Sequence, residues 1–88
     1  MKNSKQIERH FKGVANHWRL DILLLINKNP NITLDQIASL LGGNFKTISE
    51  HTLKLVHSGL VYKKYVKNNV THSLSPYGKK FVNFIKSI

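Results

Sequence analysis

Cysteine is absent from this chain of 88 residues, acidic residues are few, and no apolar run is long. Without cysteine there is no disulfide bond, no cysteine-ligated zinc and no thiol catalysis, and we expect an intracellular, cytoplasmic protein. The longest apolar run, Ile22 to Ile26, is far too short to cross a bilayer. The charged N-terminus leads into no apolar signal core, so the sequence predicts neither export nor a membrane anchor.

The four acidic residues are scattered, and no two of them are paired as general acid and base catalysis requires. The serines and histidines lack the context of a nucleophile, and Gly42 with Gly43 lacks the rest of a phosphate-binding loop. The five histidines show no metal-ligand spacing. We therefore expect no enzyme, no metal site and no cofactor.

Positive charge dominates the remaining composition. Fourteen Lys and Arg residues give a formal net charge of +10, and the part after Gly43 holds eight of them against Glu50 alone. Such a field favours polyanions, of which nucleic acid is the commonest and an acidic membrane the next. The length fits one small domain, residues 1–88, whose core would be marginal alone and would gain stability from a second subunit.

Apolar spacing predicts two helices at the start of the chain. The first covers residues 4 to about 14, with one apolar stripe at helical spacing. Asn16 is placed to cap the second, which is apolar on most sides and ends before Asn29 and Pro30.

A pair of helices joined by a short turn follows. Thr33 and Gln36 form a capping box at the start of a third helix, and Gly42 is suited to end it in a left-handed conformation. Asn44 is placed to cap a fourth helix over about 44–58. Two helices joined by so short a glycine-containing turn are typical of the helix-turn-helix motif.

The last part of the chain predicts a hairpin and a final helix. Strands over 60–66 and 70–74 flank a basic, asparagine-rich tip, and a Ser-Pro pair at 75–76 starts the final helix. Ile32 fits a very short extra strand. The prediction is therefore mainly α with a small β-hairpin, in the order α-α-β-α-α-β-β-α, which is a winged helix-turn-helix.

Four stretches of the sequence support this prediction independently. They are similar, in order, to the ArsR-type winged-helix transcriptional regulators and their MarR-like relatives, over residues 7–82. The stretches are FKGVANHWRLDILLLI, TLDQIASLLGG, KTISEHTLKLVHSGLV and SLSPYGKKF. The resemblance implies a homodimer that binds double-stranded DNA, with the fourth helix in the major groove and the wing, about 61–74, on the backbone or in the minor groove.

Two criteria locate the candidate DNA contacts on the fourth helix. The resemblance implies DNA contacts from Phe45, Lys46, Ser49 and Glu50, with Asn44 and Thr47 at the start of the helix. A helical wheel alone places Phe45 and Ser49 near the apolar side of the helix instead. Both criteria select Lys46 and Glu50. The predicted contacts are Asn44, Lys46, Thr47, Ser49, Glu50 and Lys54, and Phe45 is left open between core and base contact.

Lys46 is unusual because it lies in the first turn of its helix, where the helix dipole disfavours a cation by about 0.3–1 kcal/mol. A phosphate or a guanine edge would supply the missing negative partner, although a solvated surface lysine has the same pattern. Glu50 is suited to accept from a cytosine amino group. It is equally suited to pair with Lys54 one turn on.

The hairpin tip supplies a second set of candidate contacts, which we expect to bind phosphate. A charged edge strand that only prevents aggregation would have the same composition. The predicted wing contacts are Lys63, Lys64, Lys67, Asn68 and Asn69.

The apolar stripes of the first and last helices exceed what so small a core would absorb. The resemblance implies that these two helices form the dimer interface, while the alternative is that they close the monomer core. The predicted interface residues are Ile7, Phe11, Val14, Phe81, Phe84, Ile85 and Ile88.

Some positions depart from the pattern of the resembled family. The usual metal ligands of the metal-sensing members of this family are absent, because there is no cysteine and residues 77–88 contain neither acid nor histidine. No small-molecule effector is evident. Thr52 stands where the family has leucine, while Leu53 and Val56 lie on a usually polar side, which leaves the roll of the fourth helix open. An RNA-binding winged helix and a protein-interaction module remain alternatives.

Overall fold

A computed structural model describes residues 1–88 and contains five helices and three strands. The element order is the predicted one. The elements are α1 Ser4–Val14, α2 His17–Lys28, β1 Ile32–Thr33, α3 Leu34–Leu41, α4 Phe45–His57, β2 Val61–Val66, β3 Asn69–Leu74 and α5 Pro76–Lys86. No helix has the length and apolar composition needed to cross a membrane.

Side-chain caps define where the helices begin. The four predicted caps are confirmed, and each accepts a hydrogen bond from a backbone amide in the first turn, as a helix start requires. A fifth cap, at α1, is a full capping box with Gln6 that the sequence pattern did not single out. The capping residues are Asn3, Asn16, Thr33, Asn44 and Ser75.

The strands form one antiparallel sheet in the order β1-β3-β2. Val61 pairs with Leu74 and Val66 pairs with Asn69, so the hairpin turn consists of Lys67 and Asn68 alone. This corrects the predicted three-residue tip, because Asn69 is already part of β3. Lys67 has a φ of 56°, a left-handed conformation that a two-residue hairpin turn requires.

Helix α2 lies at the centre of the core. Its Ile22, Leu23 and Ile26 are at most 1% exposed, and the helix packs against the other four helices and β3. Full burial of each such side chain contributes about 1.5–3 kcal/mol. The buried apolar residues are Val14, Ile22, Leu23, Ile26, Ile32, Ile37, Ala38, Ile48, Leu55, Leu60, Val61 and Val82.

The end of α4 is held directly against the start of α5. The amide of Ser75 donates to the carbonyl of Leu60 at 3.0 Å, and a Cβ added to Gly78 would lie 2.1 Å from the same carbonyl oxygen. Only glycine allows this approach. The base of the wing is therefore fixed to the final helix.

A buried histidine joins the central strand β3 to the edge strand β1. His72 is 4% exposed, and its Nδ1 donates to the carbonyl of Ile32 at 3.1 Å. Burial lowers the pKa of His72, the bond to Ile32 raises it, and the positive charge of Lys63 lowers it further, with a net lowering from the usual 6.5. The folded chain therefore favours a neutral ring at this position.

We expect the free energy of unfolding to fall as the pH is lowered below 6.5, the ordinary pKa. The unfolded chain binds a proton at His72 in that range and the folded chain binds it only at lower pH, so acid favours unfolding. Urea denaturation between about pH 7.5 and pH 5 measures this dependence.

His72→Gln should make the dependence shallower than that of the wild type. Equal dependences in the wild type and His72→Gln would contradict the assignment.

Candidate nucleic-acid interface

The turn between α3 and α4 fixes where the fourth helix starts. Gly42 has a φ of 66°, and its amide donates to the carbonyl of Ala38 at 3.0 Å, which ends α3. Two residues later, the Oδ1 of Asn44 accepts from the amide of Thr47 at 3.2 Å. The carboxamide oxygen of Asn44, a predicted DNA contact, is thus engaged as a helix cap.

The buried face of α4 settles how the helix is rolled about its axis. Ile48, Thr52 and Leu55 are at most 2% exposed. The Oγ1 of Thr52 donates to the carbonyl of Ile48 at 2.8 Å, so the buried hydroxyl is satisfied within the helix itself. A threonine therefore fits a position where the resembled family has leucine.

Opposite this buried face, four exposed residues form what we call the outer stripe. They follow one another at spacings of four, three and four and lie within an arc of about 60°. The outer stripe consists of Lys46, Glu50, Leu53 and His57. Two of these were predicted contacts. The other two, Leu53 and His57, were not among the predicted contacts, although continuing the helical spacing from Lys46 reaches both.

One flank of α4 borders the base of the wing. Ser49 is half-buried there, and together with Leu53 and Lys63 it lines a groove of about 220 Å³. The structure therefore brings Ser49 and Lys63, one from each predicted set, to the same groove. Phe45 is 52% exposed, so it is not a core residue, and the half-buried Val56 packs against the core.

The other flank of α4 faces α1 and α2. Nδ1 of His51 accepts from Nε of Arg19 at 3.2 Å, and burial, followed by the charge of Arg19, lowers the pKa of His51. Lys54 lies on this side in a pocket with Arg9 and Arg19. The structure thus separates Lys54 from the groove that contains Ser49.

Glu50 and Lys54 do not pair as the alternative interpretation suggested. The one ion pair in the structure joins Glu8 and Lys12 at 2.8 Å. Glu50 is exposed on the outer stripe with no cationic partner within salt-bridge distance.

The wing presents its charges on two faces. Successive residues of a strand point to opposite sides, and Val61 is buried, so Lys63 lies on the same side as Val61 while Lys64 faces away. Nζ of Lys63 lies 5.6 Å from the centre of the Tyr65 ring. All five predicted wing residues are exposed. Tyr65, 70% exposed, was missed by the sequence reasoning.

An apolar patch covers the contact between α1 and α5. The rings of Phe11 and Phe81 meet edge to face with centres 5.1 Å apart, beside an almost wholly apolar pocket of about 230 Å³. Exposed and half-buried members of the predicted interface form this patch. They are Ile7, Phe11, Phe81, Phe84, Ile85 and Ile88. The structure places Val14 in the monomer core instead, at 7% exposed.

His10 serves a structural contact. His10 is 5% exposed, its Nδ1 donates to the carbonyl of Ser58 at 2.6 Å, and its ring stacks on Tyr77 with centres 4.8 Å apart. It therefore ties α1 to the end of α4 and to α5. No group of three or more His, Asp or Glu side chains in the structure is arranged to hold a metal ion.

A helix-turn-helix followed by an antiparallel wing and a closing helix defines the winged helix-turn-helix fold. Solved structures of transcriptional regulators share it with this chain. HlyU from Vibrio cholerae is 27% identical, with a TM-score of 0.85 over 96% of this chain and 91% of that one. The transcriptional regulator HlyU from Vibrio vulnificus is 26% identical, with a TM-score of 0.80 over 97% and 88% of the two chains.

A third solved structure shares the same fold. It is the homodimeric winged helix-turn-helix DNA-binding domain of a possible ArsR-family regulator from Mycobacterium bovis, 24% identical, with a TM-score of 0.86 over 94% of this chain and 77% of that one. No family model matches the sequence, and no curated protein matches it significantly. The similar structures are those of transcriptional regulators and not of enzymes, as the sequence predicted.

Proposed function

We propose that this chain is a transcriptional regulator that binds double-stranded DNA as a homodimer. Helix α4 enters the major groove through its outer stripe, and the wing binds the backbone or the minor groove. The outer stripe itself supports this most strongly, because it is exposed along its whole length and lies next to a basic wing whose lysines have no carboxylate partner inside the chain.

The electrostatics of α4 favour an anionic ligand at its start. The first turn holds Lys46 and no acid, whereas the first turn of α3 holds Asp35, as the helix dipole prefers. A phosphate or a guanine O6 and N7 edge near Lys46 would remove this conflict. On the wing, Lys63, Lys64 and Lys67 have no carboxylate partner in the structure.

The α1–α5 patch is suited to join two copies of the chain. Phe11, Phe84 and Ile88 are 55%, 61% and 90% exposed, and a contiguous apolar patch of this kind marks an interaction site. The homodimeric state of the similar domain from Mycobacterium bovis supports the same assembly. A two-fold dimer would present two copies of α4 to a pseudo-palindromic site about one DNA turn long.

Duplex DNA fits this geometry better than duplex RNA. The major groove of B-DNA admits an α-helix, while that of A-form RNA is too narrow and deep for side chains to reach the bases. An exposed α4 stripe therefore favours DNA as the ligand.

Leu53 and Phe45 add an apolar element to the proposed contact. Leu53 is 41% exposed at one edge of the outer stripe, and Phe45 is 52% exposed about 80° farther around the helix. The C5-methyl of thymine is the apolar group in the major groove. The two residues lie about 12 Å apart along the helix, which spans about three or four base pairs. We propose that they contact thymine methyls at that separation.

The first prediction concerns polar contacts. On a duplex selected from a random pool, Lys46→Ala should weaken binding about 5- to 100-fold by removing a base or phosphate contact. The triple variant Lys63/Lys64/Lys67→Ala should also lower the slope of log affinity against log salt by about two to three, since each phosphate contact adds about 0.9. Fluorescence anisotropy at several salt concentrations measures both.

Lys28→Ala, which removes an exposed charge at the end of α2, is the matched control and should leave the slope almost unchanged. Wild-type affinity in both test variants, or a stronger affinity of the wild type for structured RNA at the same salt, would overturn the proposal.

The second prediction concerns the dimer. Phe84→Ser should raise the dimer dissociation constant by about two orders of magnitude, because each subunit loses an apolar contact of at least about 1.5 kcal/mol. Sedimentation velocity over a range of concentrations measures it. Leu40→Ser is the control, since Leu40 is 63% exposed on α3 and outside the patch. An unchanged dimer in Phe84→Ser would exclude this interface.

The third prediction concerns Leu53. Replacing a contacted thymidine by deoxyuridine removes one methyl and should weaken wild-type binding about three- to fivefold. Leu53→Ala should bind the thymidine and deoxyuridine duplexes equally, while Leu40→Ala should keep the wild-type difference. If the loss of affinity on deoxyuridine substitution is the same in wild type and Leu53→Ala at every thymidine position in the site, the methyl contact does not exist.

A further inference from the structure

A pocket of about 300 Å³ that no hydrophobic residue lines lies where α1, α2 and α4 meet. We call it the basic pocket. Five of its seven lining residues have cationic or titratable nitrogen side chains, and Gly13 and Ser58 complete it. The five are Arg9, Lys12, Arg19, Lys54 and His57.

The charge of the basic pocket is not neutralised within the chain. Lys12 pairs with Glu8 at 2.8 Å, and no carboxylate lies within 4.0 Å of the cationic groups of Arg9, Arg19 or Lys54, since the structure contains no other ion pair. Like charges that converge on one site repel each other unless an anion is present. The folded chain therefore concentrates positive charge from three helices at a place where only Lys12 is neutralised by one of its own four acids.

One arginine in the pocket is held in a fixed orientation. Nε of Arg19 donates to Nδ1 of His51 at 3.2 Å, and Nη1 of Arg19 donates to the carbonyl of Lys12 at 3.2 Å. Guanidinium has five N–H donors in a planar fork, so several donors stay available after these two bonds. A half-buried arginine oriented in advance loses less conformational entropy when it binds an oxyanion.

We propose that the basic pocket is a binding site for a phosphate group. Phosphate is the ligand that matches a cluster of arginine and lysine donors around a planar guanidinium fork. The group could belong to a free phosphorylated molecule or to the DNA backbone beside α4, and the chemistry of recognition is the same in both cases. Only the second source rests on the proposed function.

The position of the pocket is compatible with the other two surfaces. Arg9 and Phe11 are two residues apart on α1, which separates them by about 160° around the helix, so the apolar patch and the basic pocket lie on opposite flanks. Lys54 and His57 reach the pocket from the same helix as the outer stripe. A phosphate bound here would therefore lie beside the proposed DNA-binding face without occupying the dimer interface.

The first experiment uses inorganic pyrophosphate with the DNA-free protein. We expect saturable NMR shifts of the Arg19 and Arg9 side-chain N–H signals and of the Gly13 and Ser58 amides. Arg9→Gln/Lys54→Gln should weaken the affinity by about tenfold or more. Lys28→Gln/Lys86→Gln removes the same charge elsewhere and should keep the wild-type affinity, which separates a site from the general attraction of a basic chain for anions.

The second experiment uses the same two double variants with a selected DNA duplex. If the phosphate comes from the backbone, Arg9→Gln/Lys54→Gln should lower the salt slope by about one to two more than Lys28→Gln/Lys86→Gln does. This result would support a pocket that binds a backbone phosphate of DNA. Saturable binding of pyrophosphate would support a pocket that binds a free phosphorylated molecule. A wild type that binds no DNA would overturn the proposed function and leave the pyrophosphate test intact.

The proposal is overturned if the two double variants behave alike in both experiments. It is also overturned if pyrophosphate shifts are unsaturable and spread over all the lysines while the DNA salt slopes of the two variants agree. Circular dichroism spectra of both variants verify that the fold is retained, and the NMR shifts of the wild type give a result that depends on no substitution.

Discussion

The contact of α4 with α2 and α3 is the constraint on which the rest of the candidate interface depends. Ile48 and Leu55 have no exposed surface, and Thr52 between them has 2%. A rotation of α4 by one residue would expose the apolar Ile48 and Leu55, and in one direction it would also bury Lys54, which costs several kcal/mol. The roll of the helix is therefore fixed by its buried side, and the identity of the outer stripe follows from it without any reference to a ligand.

The wing is tied to the same contact. Leu60, which has no exposed surface, follows α4 directly, and its carbonyl accepts from Ser75 at the start of α5. The base of the hairpin is thus fixed by the end of α4 on one side and by α5 on the other. Lys63 lines the groove with Ser49 for this reason, while the charges at the tip extend away from the core.

Charge and burial divide the molecule into one apolar surface and two charged surfaces, and the charged surfaces share His57. The apolar patch lies on α1 and α5, the outer stripe and the wing form a second surface, and the basic pocket lies at the meeting point of α1, α2 and α4. The two buried histidines contribute to packing beneath these surfaces. His10 joins α1 to Ser58 and Tyr77, and His72 joins β3 to Ile32, which accounts for two of the five histidines without any metal.

Much of this could be predicted from the sequence because the signals are local. A cap such as Asn44, a left-handed glycine such as Gly42 and the spacing of apolar residues act within one or two helical turns, so the order and starts of the helices follow from them. The missed features depend on neighbours that are distant in sequence. The two-residue turn at Lys67 and Asn68 was missed because strand register depends on pairing across the sheet.

The sequence by itself determined the order of the elements, the four predicted helix caps, the excess of positive charge and the position of Lys46 and Glu50 on the face of α4 away from its apolar residues. Only the tertiary structure decided that Val14 belongs to the core, that Leu53 lies on the exposed face and that Lys54 faces Arg9 and Arg19. The physical reason is that a helical wheel defines relative angles within one helix, whereas the direction of each face is set by the helices that pack against it.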